Sequence, residues 1–230
     1  PAIYRAVIEQ ARSLDLKVFV HQQTARDMPD LIDAGVHGFL HGRIGAEFTS
    51  ALAQQGKGAD VFVIPNLGLG ELRREAIGDD PFLRSFLSVE LREQLGVSAN
   101  RSAVPERDER VETELRAGFE RIEEANLDLV LGTDAGAVPG HPFGYTGHRE
   151  LDIFVSLGMT PMTALVTATG NAAKHLKLDD LGLVAVGKRA SLLVLDANPL
   201  TDIRNTRAIH AVYLNGRLID RDAIAASLPN

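Results

Sequence analysis

Short apolar runs alternate with segments of helical periodicity along most of the chain. The runs are nearly continuous in apolar residues and bounded by turn formers, which is typical of buried strands in a parallel sheet. The predicted strands are residues 17–20, 38–40, 61–64 and 127–131. The predicted helices are residues 3–14, 28–35, 48–52, 71–77, 82–95, 111–125, 148–157 and 161–175. This alternation indicates an α/β fold, with residues 68–126 forming an elaborated loop and a covering helix.

The pattern changes beyond Leu178, where short strands follow one another without helices between them. Strands are predicted at residues 182–184, 190–195 and 211–219, the last two runs forming a hairpin that turns on Asn215-Gly216. We therefore predict two parts, a partial barrel over residues 1–177 and β-sandwich strands with a tail over residues 178–230.

Composition narrows the classes of function and of site. The 230 residues are 45% hydrophobic and 24% charged, which is typical of a globular protein. The formal charge of −7, without a basic stripe, argues against nucleic acid or an anionic membrane as a partner. No apolar segment approaches the roughly 20 residues of a membrane-spanning helix. Because the chain has no cysteine, a metal would have to be held by histidines and carboxylates.

Polar side chains stand where the predicted strands end. His21, His41 and Asp134 each follow an apolar run, and Asn66 does so less cleanly after Pro65. The carboxyl ends of strands in a parallel barrel gather on one face, so these side chains are expected to converge there. Imidazole and carboxylate suit Zn²⁺ or a similar divalent ion, and such an ion activates water and polarises a carbonyl. The pattern predicts metal-assisted hydrolysis.

Each of these polar residues also has a purely structural interpretation. A histidine at a strand end can be a packing or capping residue, and an aspartate before glycine can cap a turn. Asn66 can be a turn former only, and Glu150 lies on a helix whose charges are solvated by default. Three further histidines are predicted to be solvent-facing or capping, with the first also a candidate for a rim loop: His141, His175 and His210.

Several segments resemble one enzyme superfamily. Residues 18–21 (VFVH), 39–42 (FLHG) and 131–136 (LGTDAG) resemble the fifth, sixth and eighth barrel strands of the amidohydrolase superfamily, in its imidazolonepropionase-like and Xaa-Pro dipeptidase-like branch. A second set of segments resembles the superfamily's helices after strand eight and its return to a β-sandwich. These are residues 148–151, 158–161, 168–173 and 187–196. The resemblance implies the C-terminal part of a TIM-type (β/α)8 barrel with the last strands of a small β-sandwich.

The same resemblance implies a mechanism. His21 would be a metal ligand, His41 a ligand or a group that polarises the substrate, and Asp134 both a ligand and the general base. His148 and Glu150 would be rim residues near the substrate. The implied reaction is hydrolysis of an amide-type C–N bond, in a cyclic amide or a dipeptide-like substrate, by a water activated by zinc. Asp134 would pass the proton to the leaving nitrogen while His41 steadies the oxyanion.

The superfamily's first-strand His-x-His pair does not occur in the chain, and the resemblance places it upstream of Pro1. We therefore expect a partner, either an upstream segment of the same protein or another copy in a homo-oligomer, in addition to a small-molecule amide substrate. A cytoplasmic location is favoured, and any signal would also lie upstream. The alternative from another class is a barrel fragment or interaction module without a complete metal site.

Overall fold

The computed structural model describes residues 2–69, 80–84, 87–93, 109–138 and 141–227. Four parallel strands form one sheet in the order β1-β2-β3-β4. Their bounds are β1 Phe19–His21, β2 Gly38–Leu40, β3 Phe62–Ile64 and β4 Asp128–Leu129. Each strand pairs with the next one along the chain, so their carboxyl ends lie together at one edge of the sheet. All four predicted strands are therefore confirmed in position.

Helices connect and cover these strands, as the apolar spacing predicted. The helices labelled here are α1 Ala2–Ser13, α2 Met28–Ala34, α3 Ser50–Gly58, α4 Pro81–Arg84, α5 Glu109–Ala125, α6 Tyr145–Ser156, α7 Pro161–Ala168, α8 Gly170–Leu176 and α9 Arg221–Ser227. Local chemistry sets several ends. The Thr49 and Thr160 hydroxyls accept N–H bonds at the starts of α3 and α7, and Gly35 ends α2 with a left-handed φ of 94°.

Some predicted elements differ from the structure. The helix predicted over residues 161–175 breaks at Thr169, where φ is −128° and ψ is −83°, so it forms two helices. The strand predicted at residues 182–184 is wrong, because those residues form bends and loop. Of the predicted 82–95 segment, residues 82–84 and 89–93 are described as helix, and residues 71–77 lie outside the described part of the chain.

A second sheet follows the barrel strands. It is antiparallel, in the order β5-β6-β7, with bounds β5 Leu192–Leu195, β6 Ile209–Leu214 and β7 Arg217–Leu218. The predicted turn at Asn215-Gly216 is confirmed, with Asn215 at φ 53° and Gly216 at φ 78°, but it joins β6 to β7, both within the predicted run 211–219. Strand β5 pairs with β6 across the longer segment 196–208. The segment before β6 packs on the main body through buried Ile203. The division at residues 177 and 178 stays a prediction.

One main apolar core lies between the parallel sheet and its helices. It includes the fully buried side chains of Phe39, Phe48 and Phe154 together with residues of every parallel strand or its flanks. The sheet therefore fixes where the residues after each strand can lie. Among the described helices, none has the length and apolar character that crossing a bilayer requires.

Candidate functional site

The structure brings together the three side chains predicted at the strand ends. His21 is the last residue of β1, His41 directly follows β2, and Asp134 follows the run that contains β4. The rings of His21 and His41 have their centroids 4.5 Å apart and are tilted by 59°. The Nε2 atom of His41 lies 3.6 Å from Oδ2 of Asp134. His41 is therefore the central member of the group.

Accessibility differs among the three. The side chain of His41 is 17% exposed and that of Asp134 is 45% exposed. His21 is exposed because β1 is an edge strand of the sheet, and its Nε2 lies 2.6 Å from the Nε2 of Gln23. The His41–Asp134 pair thus faces a region open to solvent, with His21 at its outer side.

The donor chemistry fits part of a divalent metal site. Two imidazoles and a carboxylate are donors that Zn²⁺ accepts, and they are neighbours here. Within the described residues, however, no group of three or more His, Cys, Asp or Glu side chains is arranged to hold a metal ion. The Nε2 of His21 instead lies 2.6 Å from the side-chain nitrogen of Gln23. The described residues alone do not make a complete site.

A buried glutamine that the sequence interpretation missed connects the two histidine loops. Gln22 is 1% exposed, its Oε1 accepts the Arg43 N–H at 3.1 Å, and its Nε2 donates to the Thr24 carbonyl at 2.9 Å. It lies between exposed His21 and the loop that follows His41, so it fixes their relative position. Its signal in the sequence is the alternation of a strand, which turns residue 22 inward when residue 21 points outward.

The two residues predicted near the substrate lie on α6. Glu150 is 1% exposed, and its carboxylate accepts the N–H groups of Leu67 at 2.7 Å and Gly68 at 2.8 Å. His148 is hydrogen-bonded through Nδ1 to the Thr206 hydroxyl at 2.9 Å. Burial, and to a lesser degree the Arg207 charge, lowers the pKa of His148. These contacts support the loop after β3 and the docking of the C-terminal segment; the substrate-binding role of both residues stays a prediction.

Two of the histidines predicted to be solvent-facing or capping are buried, so the solvent-facing alternative is wrong for them. His141 is 2% exposed and lies 2.6 Å through Nε2 from the Thr133 carbonyl, one residue before Asp134. His175 is 5% exposed and pairs through Nε2 with Oδ2 of Asp128 at 2.7 Å. Asp128 is 47 residues from His175, so no local sequence pattern indicates that pair. His210 is exposed, as predicted.

A second polar cluster joins the described part of the long β3–α5 connection to α6. The Asp80 carboxylate accepts the Tyr145 hydroxyl at 2.9 Å and the Arg207 guanidinium at 3.1 Å. Burial, together with the hydrogen bond to Asp80, raises the pKa of Tyr145 to about 12. Tyr145 therefore stays protonated at neutral pH and serves here as a donor that holds the loop.

Comparisons with known proteins agree on one family. The model of the family described as "Amidohydrolase family" matches residues 82–219, which is more than half of the chain. An adenine deaminase of Nitratidesulfovibrio vulgaris (strain DP4) is 41% identical over 87 residues, covering 36% of this chain and 14% of that enzyme. An imidazolonepropionase of Pyrobaculum arsenaticum (strain DSM 13514 / JCM 11321 / PZ6) is 47% identical over 47 residues, covering 20% of this chain and 12% of that enzyme.

A solved structure shows the fold. A crystal structure of a Xaa-Pro dipeptidase with bound methionine in the active site matches with a TM-score of 0.68 and 26% identity. The match covers 94% of this chain and 47% of that one, so the chain spans about half the length of the structure it matches. The predicted α/β fold, part of a TIM-type barrel with further β strands, is confirmed. The family match and the fold together show that this chain belongs to the amidohydrolase family.

Proposed function

We propose that the chain carries part of the active site of a metal-dependent hydrolase that cleaves an amide-type C–N bond. The observation that supports it is the grouping of His21, His41 and Asp134 at the carboxyl ends of parallel strands, the face on which barrel enzymes build their sites. The relatives named adenine deaminase, imidazolonepropionase and Xaa-Pro dipeptidase support the same class, and we propose a cyclic amide or a dipeptide-like substrate for this chain.

Zinc is the proposed ion, because imidazole and carboxylate together are its usual ligands. His21, His41 and Asp134 would hold it, together with ligands from outside the described residues. When bound, the ion would supply an acidified water and polarise the scissile carbonyl.

The chain's own residues have separate tasks in this proposal. Asp134 is half-exposed and ionisable, so its carboxylate takes a proton from the attacking water and gives it to the leaving nitrogen. In the alternative role, in which it is not a ligand of the ion, the His41 imidazole, 3.6 Å from that carboxylate, donates a hydrogen bond to the oxygen on which negative charge develops. His148 and Glu150 remain proposed as contributors to the substrate rim.

The proposal includes a partner surface at the edge of the parallel sheet. A groove of about 720 Å³ lies between α1 and β1, lined by apolar residues that include Ile3, Val7 and Val20, and Ile3 is 84% exposed. The matched dipeptidase is about twice as long as this chain. We propose that further β/α units of the same barrel cover this groove and pair with β1. A stable, monodisperse monomer made of residues 1–230 alone would argue against this covering.

The test measures metal and hydrolysis together. The protein that contains these residues is loaded with Zn²⁺, dialysed, analysed for metal by mass spectrometry, and assayed with glycyl-proline, methionyl-proline and N-acetylated cyclic amides. His21→Ala and Asp134→Ala should each lower the bound zinc, and Asp134→Ala should lower kcat by roughly 10²–10⁴-fold. His210→Ala is the matched control, because His210 is exposed and bonded to Asp196, apart from this group. Unchanged zinc content and unchanged hydrolysis in both site variants would refute the proposal.

A further inference from the structure

Three residues at the carboxyl ends of the parallel strands have left-handed backbone conformations. The φ angles are +55° at His41, +51° at Asn66 and +55° at Asp134. This conformation costs an L-residue roughly 1–2 kcal/mol, and it persists where surrounding groups hold it in place. A histidine in this state next to a proposed catalytic carboxylate raises the question of what holds it.

Asn66 contacts the backbone of His41 directly. Its Oδ1 accepts the His41 N–H at 3.1 Å across 25 residues of sequence, and the side chain is buried at 6% exposure. The next N–H, that of Gly42, donates to the Ile64 carbonyl at 2.9 Å. Successive N–H groups at the turn after β2 are therefore both bound by the end of β3.

The same asparagine lies against the strand that leads to Asp134. A Cβ placed on Gly132 would lie 3.6 Å from Nδ2 of Asn66 and 2.5 Å from Cγ2 of Ile64. The backbone two residues before Asp134 thus lies near the side chains of both Ile64 and Asn66. One buried side chain lies between the backbones that carry the two members of the His41–Asp134 pair.

Glu150 holds the loop on which Asn66 stands. Its buried carboxylate binds the N–H groups of Leu67 and Gly68, the two residues directly after Asn66. Charge-assisted bonds of this kind are about twice as strong as neutral ones. The position of Asn66 is therefore fixed from α6, outside the sheet.

We propose that Asn66 is a positioning residue, supported by Glu150, that holds His41 in the left-handed conformation in which its imidazole faces Asp134. The importance of the His41–Asp134 pair for catalysis rests on the proposed function. The contact between Asn66 and His41 does not depend on it. Asn66 acts through His41 and is assigned no contact with the substrate.

A turn-forming role alone does not account for this asparagine. Asn126 and Asn215 are also left-handed, with φ of 53° each, but both are exposed. Asn66 instead is buried and bonded to another loop. Asn126 is therefore a matched control for the backbone conformation without the contact to His41.

The experiment uses nuclear magnetic resonance on the isotopically labelled protein. Asn66→Gly keeps the backbone free to adopt a positive φ and removes only the side chain. Asn66→Asp retains an oxygen acceptor and is the conservative variant. The first readout is the hydrogen-exchange rate of the His41 amide. The second is the intraresidue HN–Hα nuclear Overhauser effect of His41, which is strong in the left-handed conformation. The third is the set of nuclear Overhauser effects between the rings of His21 and His41.

In Asn66→Gly we expect exchange of the His41 amide to accelerate roughly tenfold, and the left-handed signature and the ring contacts to weaken. Asn66→Asp and Asn126→Gly should both keep the wild-type values. If Asn66→Gly does not fold, Asn66→Ser, whose hydroxyl is too short to reach, replaces it with the same expectation. Unchanged His41 signals in the folded variant, or equal changes in Asn126→Gly, would overturn the proposal.

Kinetics separate this proposal from the proposed function. Displacing His41 should lower kcat for dipeptide hydrolysis by about 10²-fold with little change in KM. If the wild type hydrolyses the dipeptides but the His41 signals of Asn66→Gly are unchanged, the positioning role is refuted and the proposed function is retained. Altered His41 signals in a protein that hydrolyses no amide would do the reverse.

Discussion

Glu150 and Gly68 approach so closely that a side chain on residue 68 would force the carboxylate to shift. The Gly68 N–H donates to Oε2 of Glu150 at 2.8 Å, and a Cβ on Gly68 would lie 2.9 Å from that same oxygen. The other carboxylate oxygen accepts the Leu67 N–H at 2.7 Å. A buried charge is tolerated when several donors satisfy it, and here the backbone supplies two of them. Helix α6 and the loop after β3 are thereby joined.

Replacing this carboxylate by an amide should destabilise the fold. In Glu150→Gln one oxygen still accepts an N–H, but the amide NH₂ meets the other N–H, so two donors face each other. We expect the free energy of unfolding to fall by roughly 1–3 kcal/mol, measured by urea denaturation.

Glu123→Gln is the control for this change, because Glu123 is exposed on α5. It should alter the free energy of unfolding by less than about 0.5 kcal/mol. Equal effects of the two substitutions would show that the bonds to Leu67 and Gly68 contribute nothing to stability.

The parallel sheet and the strand-end residues were predictable because local patterns encode them. Apolar runs such as residues 61–64 and helical spacing such as residues 3–14 appear directly in the sequence. Parallel pairing then places the end of β1 and the residues that follow β2 and β4 at one edge of the sheet. The proximity of His21, His41 and Asp134 follows from that geometry alone.

The supporting contacts were not predictable, because their partners are far apart in sequence. A charged residue on a helix is solvated by default, yet Glu150 bonds to a loop 82 and 83 residues away. His175 is buried because Asp128 pairs with it across 47 residues. The break at Thr169 falls directly before Gly170, but the apolar spacing continues across it and predicts one helix. Tertiary context decides such features.

Two glycines in helices should respond to the same substitution in opposite ways. A methyl on Gly118 of α5 would overlap the backbone carbonyl oxygen of Ile44, which cannot rotate away. Gly147 of α6 has open space where a methyl would stand. We expect Gly118→Ala to lower the free energy of unfolding by roughly 1–3 kcal/mol and Gly147→Ala to raise it by about 0.5–1 kcal/mol.

Thermal and urea denaturation of the two alanine variants measure this difference. Each is the control for the other, since both remove a helical glycine and add one methyl. Stabilisation by Gly118→Ala would mean that α5 moves away from Ile44 at no cost in free energy. That result would contradict the close packing of this helix on the loop after β2.

Stability should fall as the pH drops below neutral because of His148. Its pKa is lowered in the folded protein, first by burial and then by Arg207. The unfolded chain therefore binds a proton at higher pH than the folded chain, and protonation favours unfolding. We expect the free energy of unfolding to decrease from pH 7.5 to pH 5.5, and His148→Asn to reduce this slope.

Urea denaturation at three pH values tests the slope. Burial also lowers the pKa of His37, so part of the pH dependence should remain in His148→Asn. The double variant His37→Asn/His148→Asn should flatten the slope further. Thr206→Val is the control, because it removes the hydroxyl bonded to His148 and leaves the imidazole in place. A slope that is the same in the wild type and the double variant would contradict the expectation.

Asp128 should stabilise the protein at neutral pH and lose that effect in acid. Its Oδ2 accepts hydrogen bonds from Lys174 at 2.6 Å and His175 at 2.7 Å, which join β4 to α8. Burial raises the pKa of Asp128, but the bonds from Lys174 and His175 outweigh burial and hold the pKa below its ordinary value of 3.8. With a depressed pKa in the folded state, the stabilisation is present above about pH 4 and disappears as the pH falls through the folded pKa.

Asp128→Asn should therefore lower the free energy of unfolding by roughly 1–3 kcal/mol at pH 7, and the gap to wild type should narrow below about pH 4. Asp60→Asn is the control, because the exposed Asp60 carboxylate also lies near Lys174, at 3.3 Å, and exposed ion pairs contribute at most about 1 kcal/mol. A gap that stays constant from pH 7 to pH 3 would show that the amide replaces the carboxylate in packing alone. In that case the charge of Asp128 would not be what holds β4 to α8.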